Sequence, residues 1–556
     1  MVAPEIPACV QSLDLSREDE QPRLAWLDES FESPSTFWTS LFEHANRVGP
    51  KLRSRPGKPQ DLYYDLIERH AASGRPAFVW HAPRGESSLS FAELHVRASA
   101  CALAWSERGV KSGAVLALVL PMGVQFVVAL AAALRLGLVV SILEPAGPFA
   151  LTPRLAAAKP KYVVFEPDAP PAIGEFSDLY LPVLEDGPPH RGPAYAYAPD
   201  EPCARLFSPL RPPLLKPVDL AAAIALENAL RDAFFTFRLS PGDVVTIPDF
   251  PMMQHQPAVL FSAWLVGAAF FHVEIETIKK EPLLFEKTKI TALGVSPALL
   301  ALLTSKPKRL AGLKNVFRSV DDPLDWIGFK KFVDACELNE VLIGNVLIDA
   351  AAGGCLLFST RRPGSGSARV LPAAGRPYAL LDCADNGKAA EGKTGVFALL
   401  SKEFPKKAGF FIIASLGAEF LYGSTLHPRR ASRVFPSDEV VERVMAVPGV
   451  SAALVLPIPT PDPGVRFAFV LVVFTGAHEV DLGKFPVQLE NAIREDLGEG
   501  FVPDRVEVFP LFARHVGQEL DLVWCSQQYS SGALRKKAAS AVFRDLTTLR
   551  GLLLGP

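Results

Sequence analysis

The sequence predicts an α/β protein with parallel, helix-covered sheets and a smaller α/β unit toward its C-terminal end. Three observations carry this. Between Ala114 and Leu143 the chain reads AVLALVL, then GVQFVVALAAALRLG, then LVVSIL; two continuous apolar runs around a helical segment are what a parallel sheet covered on both faces requires. At 556 residues and 60.2 kDa the chain exceeds one hydrophobic core, since single cores stop growing at roughly 250–300 residues. A compositional break near residues 417–436 precedes VFPSDEVVERVMAVPGVSAALVLPIP, which carries a helix pattern and a strand pattern of its own. The reading divides the chain into an N-terminal extension (1–60), a large domain (61–420) and a small C-terminal domain (421–556).

In chain order, the first sixty residues are rich in Pro, Arg and Ser apart from SPSTFWTSLFEHAN, a helical patch whose Phe37, Trp38 and Phe42 suit docking on the main body. FAELHVRASACALAWSERGV predicts an amphipathic helix with Leu94, Ala98, Cys101, Leu103 and Trp105 toward the core, followed by a turn at Lys111–Gly113. The long apolar stretch after it is broken by Pro121, Gln125 and Arg135, which argues against a membrane span. From Pro167 to Pro217 the chain is Pro- and Gly-rich with little periodicity, and reads as a surface excursion. Regular structure resumes at FRLSPGDVVTIPDFP, and no internal repeat is visible.

A net charge of −3 and a pI near 6.4 offer no footprint for nucleic acid or an anionic membrane. Seven cysteines, at 9, 101, 203, 336, 355, 383 and 525, form no CxxC pair and read as reduced core thiols of a cytoplasmic protein. The first residues lack a basic start followed by an apolar run, so a secretory signal is not expected.

Six further segments carry a resemblance: EPCARLFSPLRPPLLKPVDL (Glu201–Leu220), SVDDPL (Ser319–Leu324), DAAAGG (Asp349–Gly354), GFFIIASLGAEF (Gly409–Phe420), GSTLHPRRASRVFP (Gly423–Pro436) and SSGALRKKAA (Ser530–Ala539). In this order, from about Asp61 to about Ala539, the chain resembles the adenylate-forming (ANL) acyl-CoA synthetases, in particular the acetyl-CoA synthetase branch. The resemblance implies a large N-terminal α/β domain of two helix-covered sheets with a smaller β-rich piece. It also implies a hinged C-terminal α/β domain that rotates between half-reactions.

Laid over the family's phosphate loop, roughly YTSGSTGKPKG, Phe207 takes the aromatic position, Ser208 the first hydroxyl and Lys216 the lysine. Between them Pro209, Pro212 and Pro213 donate no N–H, and no glycine is left to let the backbone close around an anion. SVDDPL matches the adenine-contacting SVGEPL, with Asp321 at the glycine; Asp322 reads either as a remnant of the nucleotide site or as the cap of a helix starting near Pro323. DAAAGG matches the magnesium motif QTETGG, with Ala350 and Ala351 at the threonine and glutamate. Alanine offers no oxygen to a hard cation. Asp349 is the remaining carboxylate, read as a substitute ligand or as an exposed loop residue. The ribose-binding TGD has no counterpart beyond Ser415 and Glu419, Ser424 stands at the hinge arginine, and Ala533 stands at the catalytic lysine with Arg535, Lys536 and Lys537 nearby. His255, in PMMQHQP, falls where the family has a gate between acyl pocket and pantetheine tunnel, and could act as an acid or base.

The vestigial nucleotide site is therefore expected at Lys216, Asp322 and Asp349, with His255 as the candidate catalytic group and no metal ligand. ATP and Mg binding are expected to be lost and no cofactor is expected, although a CoA or pantetheine thioester fits the acyl side. Partners would be an acyl thioester, a carrier protein or another protein. Three functions follow: a pseudoenzyme serving as a binding or interaction module, an ATP-independent enzyme acting on an acyl thioester, or a divergent ATP-dependent carboxylate–CoA ligase. An apolar cavity is expected beside His255 and the loop before Asp349, narrowed on the nucleotide side by Leu210, Pro212 and Leu214.

Overall fold

The computed structural model describes residues 5–539 except 14–24, 83–84, 146–147, 167–175, 177, 209–215, 282–283, 307–309, 311, 321, 323–325, 362–368, 382–393, 401–410, 417–418, 425–428, 431–432, 436, 460–466, 517–518, 521–523, 526–527 and 530–531. The predicted strand–helix–strand appears as Val115–Val119, Val124–Leu136 and Val139–Ile142, with the two strands parallel. The helix stops at Gly137, whose φ of 74° is left-handed and whose bare Cα lies against the Tyr195 ring. These strands belong to a five-stranded sheet with Tyr162–Phe165, Pro202–Leu206 and Val218–Ala221, parallel except for the last.

A second sheet has thirteen strands. Its parallel part runs Leu342–Asp349, Asn315–Ser319, Ala292–Gly294, Val244–Thr246, Ala269–His272 and Pro76–Ala82 in spatial order. Gly85–Ser90 closes one edge antiparallel. Beyond Leu342–Asp349 the sheet continues antiparallel through Gly354–Arg361, Arg369–Pro372, Glu419–Ser424, Phe411–Leu416, Thr394–Leu399 and Tyr378–Leu381. A third sheet, Ala452–Pro459, Phe467–Phe474 and Arg505–Phe509, is covered by the helices Ser437–Met445 and Phe485–Leu497 around a core of its own.

The helix Phe91–Glu107 begins with a reciprocal capping box, Ser90 with Glu93. Leu94, Ala98, Cys101 and Trp105 are buried as expected; Leu103 is only half-buried, because it falls off their shared helical face. The N-terminal patch forms the helix Pro34–Val48, which docks through Phe37 on Phe235 (ring centroids 5.9 Å apart) and covers Gly375 with Trp38. The stretch from Pro167 to Pro217 is not all surface. Tyr197 is wholly buried and donates to the Leu138 carbonyl at 2.9 Å, and Pro202–Leu206 is a sheet strand. These contacts are made with residues distant in sequence, which local periodicity does not register.

Six cysteines among the described residues are free and buried. Burial pushes the Cys203 and Cys355 thiols up to about 12, so they are unreactive as nucleophiles. No helix among the described residues is long and apolar enough to cross a membrane.

Candidate functional site

Parallel strands deliver their last residues to one edge of the sheet, and in open α/β sheets ligands bind at that carboxyl edge. Here Asp349 ends one strand and Ser319 ends its neighbour; Gly294 leads to Ser296, and the strand Val244–Thr246 leads through Phe250 to the short helix Met252–His255. The five-stranded sheet contributes the end of Pro202–Leu206, followed by Phe207 and Ser208.

Asp349 is the centre of this arrangement and has no exposure. The loop-exposed alternative is thereby corrected. Its Oδ1 accepts the Ala351 N–H at 3.0 Å, capping the single turn Ala350–Ala352, and its Oδ2 accepts the Ser208 hydroxyl at 2.5 Å. Ser208 is itself 3% exposed, and the bond spans 141 residues and joins the two sheets. Ser208, after the strand Pro202–Leu206, and Asp349, the first residue of DAAAGG, are thus bonded directly to each other. Ala350, Ala351 and Ala352 are all 0–1% exposed, so the methyl at the glutamate position faces packed protein.

Buried charge holds this turn from behind. Gly353 has φ 90°, and a Cβ there would stand 2.7 Å from Asn228 Nδ2. The Asp232 Oδ2 accepts the Cys355 N–H at 2.8 Å, while Arg231 donates to Asp232 Oδ1 and the Cys355 carbonyl, each at 2.8 Å. Both side chains of this pair are 1–2% exposed. Such a pair contributes little net stability over an apolar one, but removing either partner leaves a buried charge unpaired. Arg376 donates to the Ala352 carbonyl and stands near Glu227, whose carboxyl is pushed up to about 7 by burial, with Arg376 opposing. Neither Ser208 as the partner of Asp349 nor this clamp was named as a site from sequence. An Arg-Asp pair inside an apolar helix was the available signal.

Lys216 is exposed. Leu206 pairs with Val218, so continuing that register sets Lys216 opposite Ser208 at the mouth of a hairpin whose loop, 209–215, lies outside the described residues. The expected narrowing by Leu210, Pro212 and Leu214 lies outside them too. Asp322 is 5% exposed beside Arg318, which burial pulls down to about 10 with Asp322 opposing. Arg318 also donates to the Asn345 side chain at 2.9 Å and to the Ser319 carbonyl at 3.1 Å. The helix Asp322 was expected to cap is described from Trp326, and 323–325 lie outside the described residues.

His255 is 2% exposed, stacks edge-on with Phe250 at 4.9 Å, and bonds through Nδ1 to the Pro251 carbonyl at 2.8 Å. Next to it Gln254 donates to the Ile348 carbonyl at 2.9 Å, which places His255 beside the strand ending at Asp349. Side chains meet closely on this side: a Cβ on Gly294 would stand 2.8 Å from Ile247, 3.0 Å from Phe317 and 3.1 Å from Phe250. The structure therefore brings Ser208, Asp349 and the His255 helix together and keeps Lys216 at the rim. Among the described residues no group of three or more His, Cys, Asp or Glu gathers in a way that could hold a metal ion.

Ala533 is half-buried in the last described helix. Its basic neighbours are engaged: Arg535 donates to Glu507 at 2.9 Å, with Tyr529 on the same carboxylate at 2.8 Å, and Lys537 donates to Gln528 at 2.9 Å. Ser531 and residues 425–428 lie outside the described residues, as do the side chains of Ser415, Glu419 and Ser424.

Residues 67–224 match the profile of the AMP-binding enzyme family. The chain superposes on o-succinylbenzoate CoA synthetase from Bacillus subtilis, a double mutant bound to a product analogue, with a TM-score of 0.67 and 13% identity, covering 85% of this chain and 98% of that one. Over residues 67–224 this chain is thus similar to the AMP-binding enzymes, and over most of its length it shares the fold of that synthetase. Acetyl-coenzyme A synthetase 2 of Pseudomonas putida is 28% identical over 155 residues, 25% of this chain and 24% of that protein. Acetyl-coenzyme A synthetase of Rhodopirellula baltica is 25% identical over 150 residues, 23% of this chain and 22% of that protein. The match thus spans about a quarter of the length of these curated relatives. The chain is acyl-CoA synthetase-like in fold, and its superposition supports the α/β architecture read from the sequence.

Proposed function

We propose that this chain is an acyl-CoA synthetase-like protein that has lost ATP-dependent adenylation and serves as a binding or interaction module. One observation carries the reading: both oxygens of Asp349 are bonded within the protein, beside buried alanines where the metal-ligating glutamate would stand. Magnesium demands oxygen ligands in near-octahedral geometry. Recruiting Asp349 would break two hydrogen bonds of a carboxylate without exposure, and Ala351 supplies nothing in exchange. The residues present do not fit Mg-ATP. The ligand would be an acyl thioester, bound to CoA or to a carrier protein, or another protein partner.

Calorimetry on the full chain with Mg-ATP, AMP, CoA and short acyl-CoAs tests this. No heat of binding is expected with Mg-ATP. A ligand at 100 times its Kd stabilises a fold by about 2.7 kcal/mol, so millimolar Mg-ATP should also leave the melting temperature unmoved. Saturable Mg-ATP binding would restore the ligase reading, and acyl-CoA binding lost in His255→Ala would point to thioester chemistry.

A further inference from the structure

The helix Pro148–Ala158 touches two parts of the molecule that carry the candidate chemistry. On one side Leu151 and Leu155 belong to a buried apolar cluster with Phe207, next to Ser208, and with half-buried Met253, two residues from His255. On the other side both helices of the C-terminal unit, Ser437–Met445 and Phe485–Leu497, lie against it. There Arg154 Nη2 donates to Glu439 Oε1 at 2.7 Å, across 285 residues of sequence. The side chains are 16% and 6% exposed, and Glu439 Oε2 is buried with no hydrogen-bond partner among the described residues.

From this geometry we propose that Arg154 and Glu439 lock the C-terminal unit in one position on the large domain, with the helix Pro148–Ala158 coupling that position to the segments bearing Ser208 and His255. A buried carboxylate with one described cation cannot be parted from it without either being solvated or standing uncompensated. Rotation of the C-terminal unit away from Arg154 is opposed for that reason. The charge-assisted bond also fixes direction and distance, which apolar contact between helices does not. The lock goes beyond the loss of adenylation and does not depend on it.

The test uses the full-length chain with spin labels at Val96→Cys and Val487→Cys, residues 53% and 54% exposed on the large domain and the C-terminal unit. The parent without introduced cysteines reports any labelling of native thiols. A single narrow distance distribution is expected for the labelled protein. Arg154→Glu should broaden or displace it, and the reversed pair Arg154→Glu with Glu439→Arg should bring it back. If Arg154→Glu fails to fold, Arg154→Met and Glu439→Gln, judged folded by near-ultraviolet circular dichroism, should broaden it instead. A broad distribution in the starting protein overturns the proposal, as does one unchanged in the folded variants or not restored by the reversed pair.

Discussion

The turn Asp349–Gly354 and the C-terminal segment Tyr529–Lys537 each hold alanine where the resemblance places a charged catalytic group, yet they differ in what surrounds the loss. In the turn the alanines are buried, and the neighbouring carboxylate has been drawn into internal bonds with Ser208 and the Ala351 N–H. In the C-terminal segment Arg535 is exposed, and its pairing with Glu507 is a surface contact of the kind worth about 0–1 kcal/mol. Burial explains the contrast. A polar group left in the interior must find a protein partner, because an unmade bond there costs roughly 1–3 kcal/mol, whereas an exposed group has water. The groups beside the inner alanines are therefore bonded within the packed interior, and those beside Ala533 are paired at the surface.

Restoring the glutamate is the strongest way to break this comparison. Ala351→Glu forces a carboxylate into a site 1% exposed, and should cost about 3 kcal/mol or more in urea unfolding without bringing Mg-ATP binding. An unchanged unfolding midpoint would mean the turn has room for the ancestral ligand. Asp349→Ala should cost roughly 2–3 kcal/mol, since the Ser208 hydroxyl and Ala351 N–H lose their buried acceptor. A loss below about 0.5 kcal/mol would return Asp349 to the status of an incidental residue.

A smaller effect comes from behind the turn. Glu227 titrates at about 7 in the folded protein against an ordinary 4.5, so the folded state holds its proton more tightly than the unfolded chain. Its contribution is complete below about pH 4.5 and is lost as pH rises through about 7. Glu227→Gln stays neutral throughout, so its melting temperature should gain on the parent between pH 5 and pH 8. A constant difference across that range would show that Glu227 is solvated. The least effect is expected at the outer position: Ala533→Lys should alter stability by less than about 0.5 kcal/mol and restore no carboxylate-dependent exchange of pyrophosphate into ATP. Measurable exchange would show that the inner site still works and that its closure was misjudged.

What the sequence determined by itself was local. The strand–helix–strand from Val115 to Ile142, the buried face of Phe91–Glu107 and the docking aromatics Phe37, Trp38 and Phe42 follow from periodicity, which a few neighbouring residues carry. The substitutions at Ala350, Ala351 and Ala533 were equally plain, as residue types need no coordinates. The tertiary structure alone decided that Asp349 is buried, that its partner is Ser208, and that Arg154 meets Glu439. It also decided that Tyr197 and the strand Pro202–Leu206 lie inside a stretch without apolar rhythm. Each of these depends on groups between 59 and 285 residues apart brought into contact, or on a surface removed from water by distant elements. Burial and pairing are properties of the packed whole, and no window of sequence contains them.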